Sequence, residues 1–126
     1  MTPNTIGFSF GDVVLVPFPF TDQTGTKKRP AIVVSSAAYH RRRADLVVMG
    51  VTSRPSPAAA NPGEFVITDW ERAGLRKSSI AKPVVVTLER SLLLGKLGAL
   101  ADGDRDPLRS ALTWIFGLAP DTAAST

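Results

Sequence analysis

Gly11-Asp12-Val13-Val14-Leu15-Val16-Pro17-Phe18-Pro19-Phe20-Thr21-Asp22, followed by Lys27-Lys28-Arg29-Pro30-Ala31-Ile32-Val33-Val34-Ser35, is the stretch whose reading decides the fold. Asp12 to Val16 reads as a strand, and Phe18 and Phe20 continue its alternation. Pro17 and Pro19 have no N–H to give to a ladder, which predicts an edge or a bulge at that end. Thr21 to Lys28 is polar and holds Gly25, so it reads as a flexible loop. Ala31 to Ser35 reads as a second strand that opens just after Pro30. Its continuous apolar run predicts burial on both faces.

Working outward, Tyr39 to Arg43 reads as a basic connection and Leu46 to Thr52 as a third strand. Arg54 to Gly63 carries three prolines and three alanines and reads as a loop. Glu64 to Thr68 is a fourth strand. Thr68-Asp69-Trp70-Glu71 matches a capping box, and Gly74 is placed to stop the short helix that the box predicts. Ser79 to Leu88 is a fifth strand. Leu92 to Leu100, interrupted by Gly95 and Gly98, is a short strand or turn. A final helix is expected from Pro107 to Leu118, capped by Asp106, with Pro107 in the first helical position. Leu108, Ala111, Leu112 and Ile115 form its buried stripe. Trp114 and Phe116 fall off that stripe, which implies broad burial or a partner.

Five short strands and a terminal helix, without a βαβ rhythm, predict a mainly β fold: a small barrel with helical decoration. The domain reading is an N-terminal extension over 1–10, one barrel domain over 11–118 and a flexible tail over 119–126.

Composition narrows the function classes. A chain of 126 residues is one ordinary domain. It has no cysteine, which removes disulfide and thiolate chemistry, and one histidine, His40, which removes an all-histidine zinc site within one chain. Lys and Arg total 15 against 11 Asp and Glu, a net charge of +4 that favours polyanionic partners. The opening residues lack the charged start of a signal peptide, and no apolar run approaches the ~18 residues of a membrane span. A soluble, cytoplasmic protein is expected.

The two quoted blocks resemble the opening of PemK-like and MazF-like toxins: a Gly-Asp strand running into Pro-Phe-Pro-Phe-Thr-Asp, a loop, and an Arg-Pro-Ala strand. Val47-Val48-Met49-Gly50-Val51-Thr52-Ser53 is similar to the family's third strand. Asp69-Trp70-Glu71 with Ala73-Gly74-Leu75 resembles its short helix. Thr87-Leu88-Glu89-Arg90 and Leu97-Gly98-Ala99-Leu100 resemble its last strand and the turn before the final helix. The likeness spans roughly 11–118. It implies an SH3-like barrel of the CcdB/PemK type, with five to seven strands, a short helix and a C-terminal helix. It also implies the toxin of a type II toxin–antitoxin pair. Such a toxin is a homodimeric endoribonuclease that cuts single-stranded RNA, mostly mRNA, at short motifs. It needs no metal or other cofactor and leaves a cyclic phosphate and a 5′-hydroxyl. The implied partners are RNA and an acidic, partly disordered antitoxin that folds over the Arg29 groove.

The resemblance carries two catalytic positions onto this chain, Arg29 and Thr52, and Ser53 can substitute for or assist Thr52. RNA cleaves itself when its 2′-hydroxyl attacks the adjacent phosphate, so an enzyme must orient that hydroxyl, neutralise the phosphoryl oxygens and protonate the leaving oxygen. The planar, permanently charged guanidinium of Arg29 suits the second task, and hydroxyls of Thr52 and Ser53 can donate to the same phosphate. For the proton acceptor three options stand: His40, Asp22, or none, with positioning and charge doing the chemistry. Relatives with an acidic or histidine residue near the site differ from this chain, which has Lys82-Pro83 on the fifth strand. Lys27, Lys28, Arg54 and Lys82 are candidate contacts to the RNA backbone. Arg41 to Arg43 reads as a solvated turn. Phe18, Phe20 and Trp70 read as core rather than as base-stacking platforms.

Two other classes fit the barrel. A gyrase-poisoning toxin of the CcdB type would share the fold without the nuclease, though Trp114-Ile115-Phe116-Gly117 is only faintly similar to that group's terminus. A non-catalytic barrel binding RNA or a peptide would explain the charge but not Arg29 with Thr52.

Overall fold

Two apolar cores, one on each face of a single antiparallel sheet, organise the chain. The computed structural model describes residues 7–18, 27–54 and 61–118. Six strands form the sheet: β1 (Asp12–Phe18), β2 (Lys27–Val33), β3 (Asp45–Ser53), β4 (Phe65–Ile67), β5 (Ser79–Glu89) and β6 (Gly95–Ala99). Their order across it is β4-β5-β3-β2-β1-β6. Two helices complete the fold, α1 (Ala37–Arg42) and α2 (Asp102–Phe116). None is long and apolar enough to cross a membrane among the described residues.

Strand alternation sorts the cores. Val13, Ile32, Met49, Val51 and Ile67 point to one face and pack with Leu108 and Ala111 of α2. Val14, Val16, Ala31, Val33, Leu46 and Val48 point to the other. Both faces of β1 and β2 are therefore buried, as their continuous apolar runs require. Trp70 packs against the first core. Phe20 and the side chain of Phe18 lie outside the described residues, as do residues 119–126 and most of the N-terminal extension.

The sheet is a curled half-barrel whose ends are joined by a turn rather than by a ladder. β4 and β6 share no pairing among the described residues. The connection after β4 instead lies directly on β6. A Cβ on Gly74 would collide with the Leu97 carbonyl, and one on Gly98 would sit 2.7 Å from the Ala73 carbonyl carbon. Gly74 also has φ +82°, which a side chain would oppose. The Gly-Asp pair that opens the first block is structural in the same way. Gly11 has φ +92° and lies under the Arg105 guanidinium, which donates to the Phe10 carbonyl at 2.7 Å. The buried Asp12 carboxylate accepts from Ser9 N–H at 2.8 Å and pairs with Lys96 at 3.2 Å.

Four elements differ from the sequence reading. β2 begins at Lys27, not after Pro30, and Pro30 pairs with Leu15. The proline is tolerated because β2 meets β3 only over Ala31–Val33, so at Pro30 one side of the strand has no ladder. The basic connection contains α1, capped by Ser36, whose Oγ accepts from Tyr39 N–H at 3.1 Å. Arg43 just beyond it forks onto Asp45 at 2.9 and 2.8 Å. The final helix starts at Asp102, which leaves Pro107 inside it at the expense of one backbone bond.

The fourth difference is the 68–74 segment, a set of hydrogen-bonded turns rather than a helix. Its leading amides are taken by a remote group. The buried carboxylate of Asp104, in the first turn of α2, accepts from Thr68 N–H and Asp69 N–H, both at 2.9 Å. Replacing Asp104 by Ala strands both amides. The expected cost is about 2–4 kcal/mol, measured as a shift of the urea midpoint, and an unchanged midpoint would reject this role.

Candidate functional site

The strand seam that Pro30 leaves open is where the candidate residues gather. On β2, Arg29 shares its face with Ala31 and Val33; on β3, Thr52 shares the same face with Val48. The last β2–β3 pairs are Val33 with Val48, Ile32 with Met49 and Ala31 with Gly50. The ladder ends at that last pair, with Arg29 two residues before Ala31 and Thr52 two residues after Gly50, at the same end of the two strands.

Arg29 also lines a cavity of about 400 Å³ at this end of the half-barrel. Lys28 and Ser53 belong to its wall, whereas Thr52, one residue out of phase with Ser53, does not. The Nε of Arg29 is buried and has no hydrogen-bond partner. An unsatisfied buried donor on a charged group is costly, and an anion brought to it would satisfy it.

The wall opposite β2 and β3 comes from the connection between β4 and β5, which contributes Leu75, Arg76 and Lys77, and Ser79 opens β5 beside Ser53. Arg76 and Lys77 were not anticipated from the sequence. Nothing local marks them; they reach the cavity because Gly74 lets the connection lie against β6. A second hollow, also about 400 Å³, adjoins the first through Ser53 and Lys77 and is completed by Arg54 and Ser78. Among the described residues no carboxylate or imidazole lines either hollow. The result is a trough with cations along its length, suited to a chain of phosphates. Lys27 is exposed at the start of β2.

Two expected residues stand apart. His40 is buried: its Nδ1 lies 2.8 Å from the Phe8 carbonyl and its Nε2 lies 2.6 Å from Ser35 Oγ. The Ser35 hydroxyl accepts from Val47 N–H at 3.1 Å and can donate to Nε2, so a neutral imidazole protonated at Nδ1 satisfies every group. His40 therefore clips the N-terminal segment to the sheet and is not placed to serve a substrate. Lys82 forms an ion pair with Glu64 at 3.0 Å. Burial pushes the Glu64 carboxyl up, but the Lys82 ammonium and the Asn61 N–H outweigh it, and the group is held below its ordinary value. Asp22 lies outside the described residues.

Comparison with known proteins places the chain. Residues 9–116 match the family described as PemK-like, MazF-like toxins of type II toxin–antitoxin systems. The chain belongs to that family. No curated protein matches it. Among solved structures, an endoribonuclease in complex with its cognate antitoxin, from a mycobacterial species, is 19% identical with a TM-score of 0.70, covering 90% of this chain and 98% of its own. A MazE–MazF structure from Deinococcus radiodurans is 26% identical with a TM-score of 0.64, covering 87% and 96%. MazF from the same organism is 28% identical with a TM-score of 0.61, over the same shares.

Because the Glu64 carboxyl is depressed in the fold, its contribution to stability is present above the ordinary carboxylate range and is lost as pH falls through the folded value. Lys82→Met is expected to flatten this acid limb of the stability–pH curve and to leave RNA affinity within about twofold, since an already paired cation adds little to phosphate binding. A large loss of RNA affinity in Lys82→Met, with the acid limb intact, would return Lys82 to the RNA contacts.

Proposed function

We propose that this chain is the toxin of a type II pair and acts as a metal-independent endoribonuclease on single-stranded RNA. It cuts at short motifs and leaves a cyclic phosphate and a 5′-hydroxyl. The observation that carries the reading is the buried, unpartnered Nε of Arg29, on the sheet face that Thr52 shares at the same end of β2 and β3. The neighbours named as an endoribonuclease and as MazF toxins support it.

In this reading the 2′-oxygen of the RNA bonds to phosphorus as the bond from phosphorus to the 5′-oxygen breaks. The 2′-hydroxyl gives up its proton and the departing 5′-oxygen takes one. Arg29 neutralises the non-bridging oxygens as their charge grows, which can lower the barrier by about 3–4 kcal/mol. Thr52, on the Arg29 face of β3, donates a hydrogen bond that holds the phosphate in line, and Ser53, on the other face, meets the adjoining backbone. Lys27, Lys28 and Arg54 bind the flanking backbone. With no acid or imidazole among the described residues of the trough, water takes the 2′-proton and supplies the one that the 5′-oxygen gains.

The trough also fits an acidic antitoxin segment that folds on contact, in keeping with the antitoxin-bound neighbours. A homodimer goes with the family and with the exposure of Trp114 (62%) and Phe116 (54%) on α2. Action on RNA with an antitoxin as partner supports a cytoplasmic location. The gyrase-directed and purely binding alternatives have no observation of their own behind them.

The test is incubation of the protein with a long single-stranded RNA in EDTA, beside Arg29→Ala, with mapping of the 5′ ends. Discrete cuts with 5′-hydroxyl ends are expected, reduced about 10²–10³-fold in the variant. A silent wild type, or a variant that cuts equally well, rejects the nuclease. Light scattering at micromolar concentration is expected to give twice the chain mass, and a monomer rejects the dimer.

A further inference from the structure

We infer that Glu64 is a positioning residue for the cut, set beside the Arg29–Thr52 site by Lys82, where it holds the water that relays the proton. This rests on the endoribonuclease reading and adds one residue to it. Much of the sheet face that carries Arg29 and Thr52 is filled by apolar side chains, among them Val14, Val16, Ala31, Val33, Val48 and Leu88. Beyond that apolar stretch, the end with Arg29 and Thr52 also carries Arg54, Lys82 and Glu64.

Strand register puts them there. β3 pairs Thr52 with Ile80 of β5, and β4 pairs Val66 with the same Ile80. Lys82 stands two residues along β5 from Ile80, in step with Val84 and Val86, which pack against that core. Glu64 precedes Phe65, which pairs with Ala81, so it faces Lys82, and the two side chains meet at 3.0 Å. Arg54, two residues beyond Thr52, acts on the Glu64 carboxylate through its charge. Across the sheet, Arg29 therefore lies on one side of Thr52 and the ion pair on the other. β4 and β3 are two strand spacings apart, about 4.8 Å each, which leaves room for a ribose and a water between Thr52 and Glu64.

The carboxylate is held charged and in place. The Glu64 side chain is only 5% exposed; its Oε1 accepts from Asn61 N–H at 3.0 Å and its Oε2 meets the Lys82 ammonium. α2, packed on β4, shares a hollow with Glu64 through Pro107, Ser110, Ala111 and Trp114 and adds no charge there. An enclosed ion pair stabilises a fold no better than well-packed apolar side chains, which this face already has, so packing alone does not account for the pair. A carboxylate offers about four acceptor sites, and two remain on Glu64. A water bound there takes up a proton more readily than bulk water does. The 2′-proton passes to this water as the 2′-oxygen bonds to phosphorus, and a proton passes from it to the 5′-oxygen as the bond from phosphorus to that oxygen breaks. Glu64 remains a carboxylate throughout, and because Lys82 holds it, Arg29 stays open to the phosphate.

The experiment uses the full chain and an RNA containing its cut site. Single-turnover cutting rates are measured against pH in EDTA for wild type, Glu64→Gln and Lys82→Met, over the range in which each melts as a folded protein. Kd is measured on the same RNA made uncleavable by 2′-deoxy substitution at the cut. Glu64→Gln is expected to cut the same sites about 10–10²-fold more slowly at neutral pH, with Kd within about twofold of wild type. The wild-type rate is expected to fall as pH drops through the folded Glu64 value, because the charged form holds the water. Burial raises the Glu64 carboxyl, and Lys82 is foremost among the groups that bring it down. In Lys82→Met the fall therefore begins at higher pH, and in Glu64→Gln it is absent. The inference is overturned if folded Glu64→Gln cuts at the wild-type rate, or if it loses RNA affinity in step with cutting. An acid limb of the rate that stays where it was in Lys82→Met overturns it as well, and this second variant decides the matter if Glu64→Gln does not fold. Absence of any RNA cutting by wild type is the separate failure of the nuclease reading.

Discussion

The buried carboxylate of Asp104 is the constraint on which the rest of the structure depends. By accepting the Thr68 and Asp69 amides it fixes the start of α2 to the turn that follows β4. That turn then lies on β6 through Gly74 and Gly98, which draws the two ends of the sheet together. The curl that results brings the β4–β5 connection across from the ends of β2 and β3, and the cationic trough is the space between them. A single helix-to-turn interaction thus shapes a site to which Asp104 contributes no atom.

The strands were legible in the sequence because their signal is local. Alternation and apolar runs mark β1, β2, β3 and β5, and the buried faces follow from them. What failed was local chemistry overruled from a distance. The Thr68-Asp69-Trp70-Glu71 box has the right residues, but its amides bond to Asp104, 35 and 36 residues away. Asp106-Pro107 looks like a helix start, yet α2 begins a turn earlier. Arg41 to Arg43 masked the cap that Ser36 gives to α1.

The site divides the same way. Arg29, Thr52 and Ser53 could be named as candidates because they lie in strands that the sequence marks, and a family resemblance pointed to Arg29 and Thr52. Arg76 and Lys77 could not, since two cations on a connection look like any solvated pair until the fold sets them opposite Lys28. For Lys82 and His40 the sequence shows a suitable side chain but not the partner that the fold gives it: Lys82 is bound to Glu64 and His40 is enclosed by Ser35 and Phe8.

The trough also has an effect on the protein when nothing is bound. Its cations come from segments well separated in the chain, around Lys28, Arg54 and Lys77, and folding forces them together in hollows whose described lining carries no acid, with Glu64 near enough to act on Arg54 alone. Their mutual repulsion is a standing tension in the fold, relieved when mobile ions shield it. Ionic strength therefore acts on this molecule in two opposed directions: added salt firms the empty trough and loosens its hold on a polyanion.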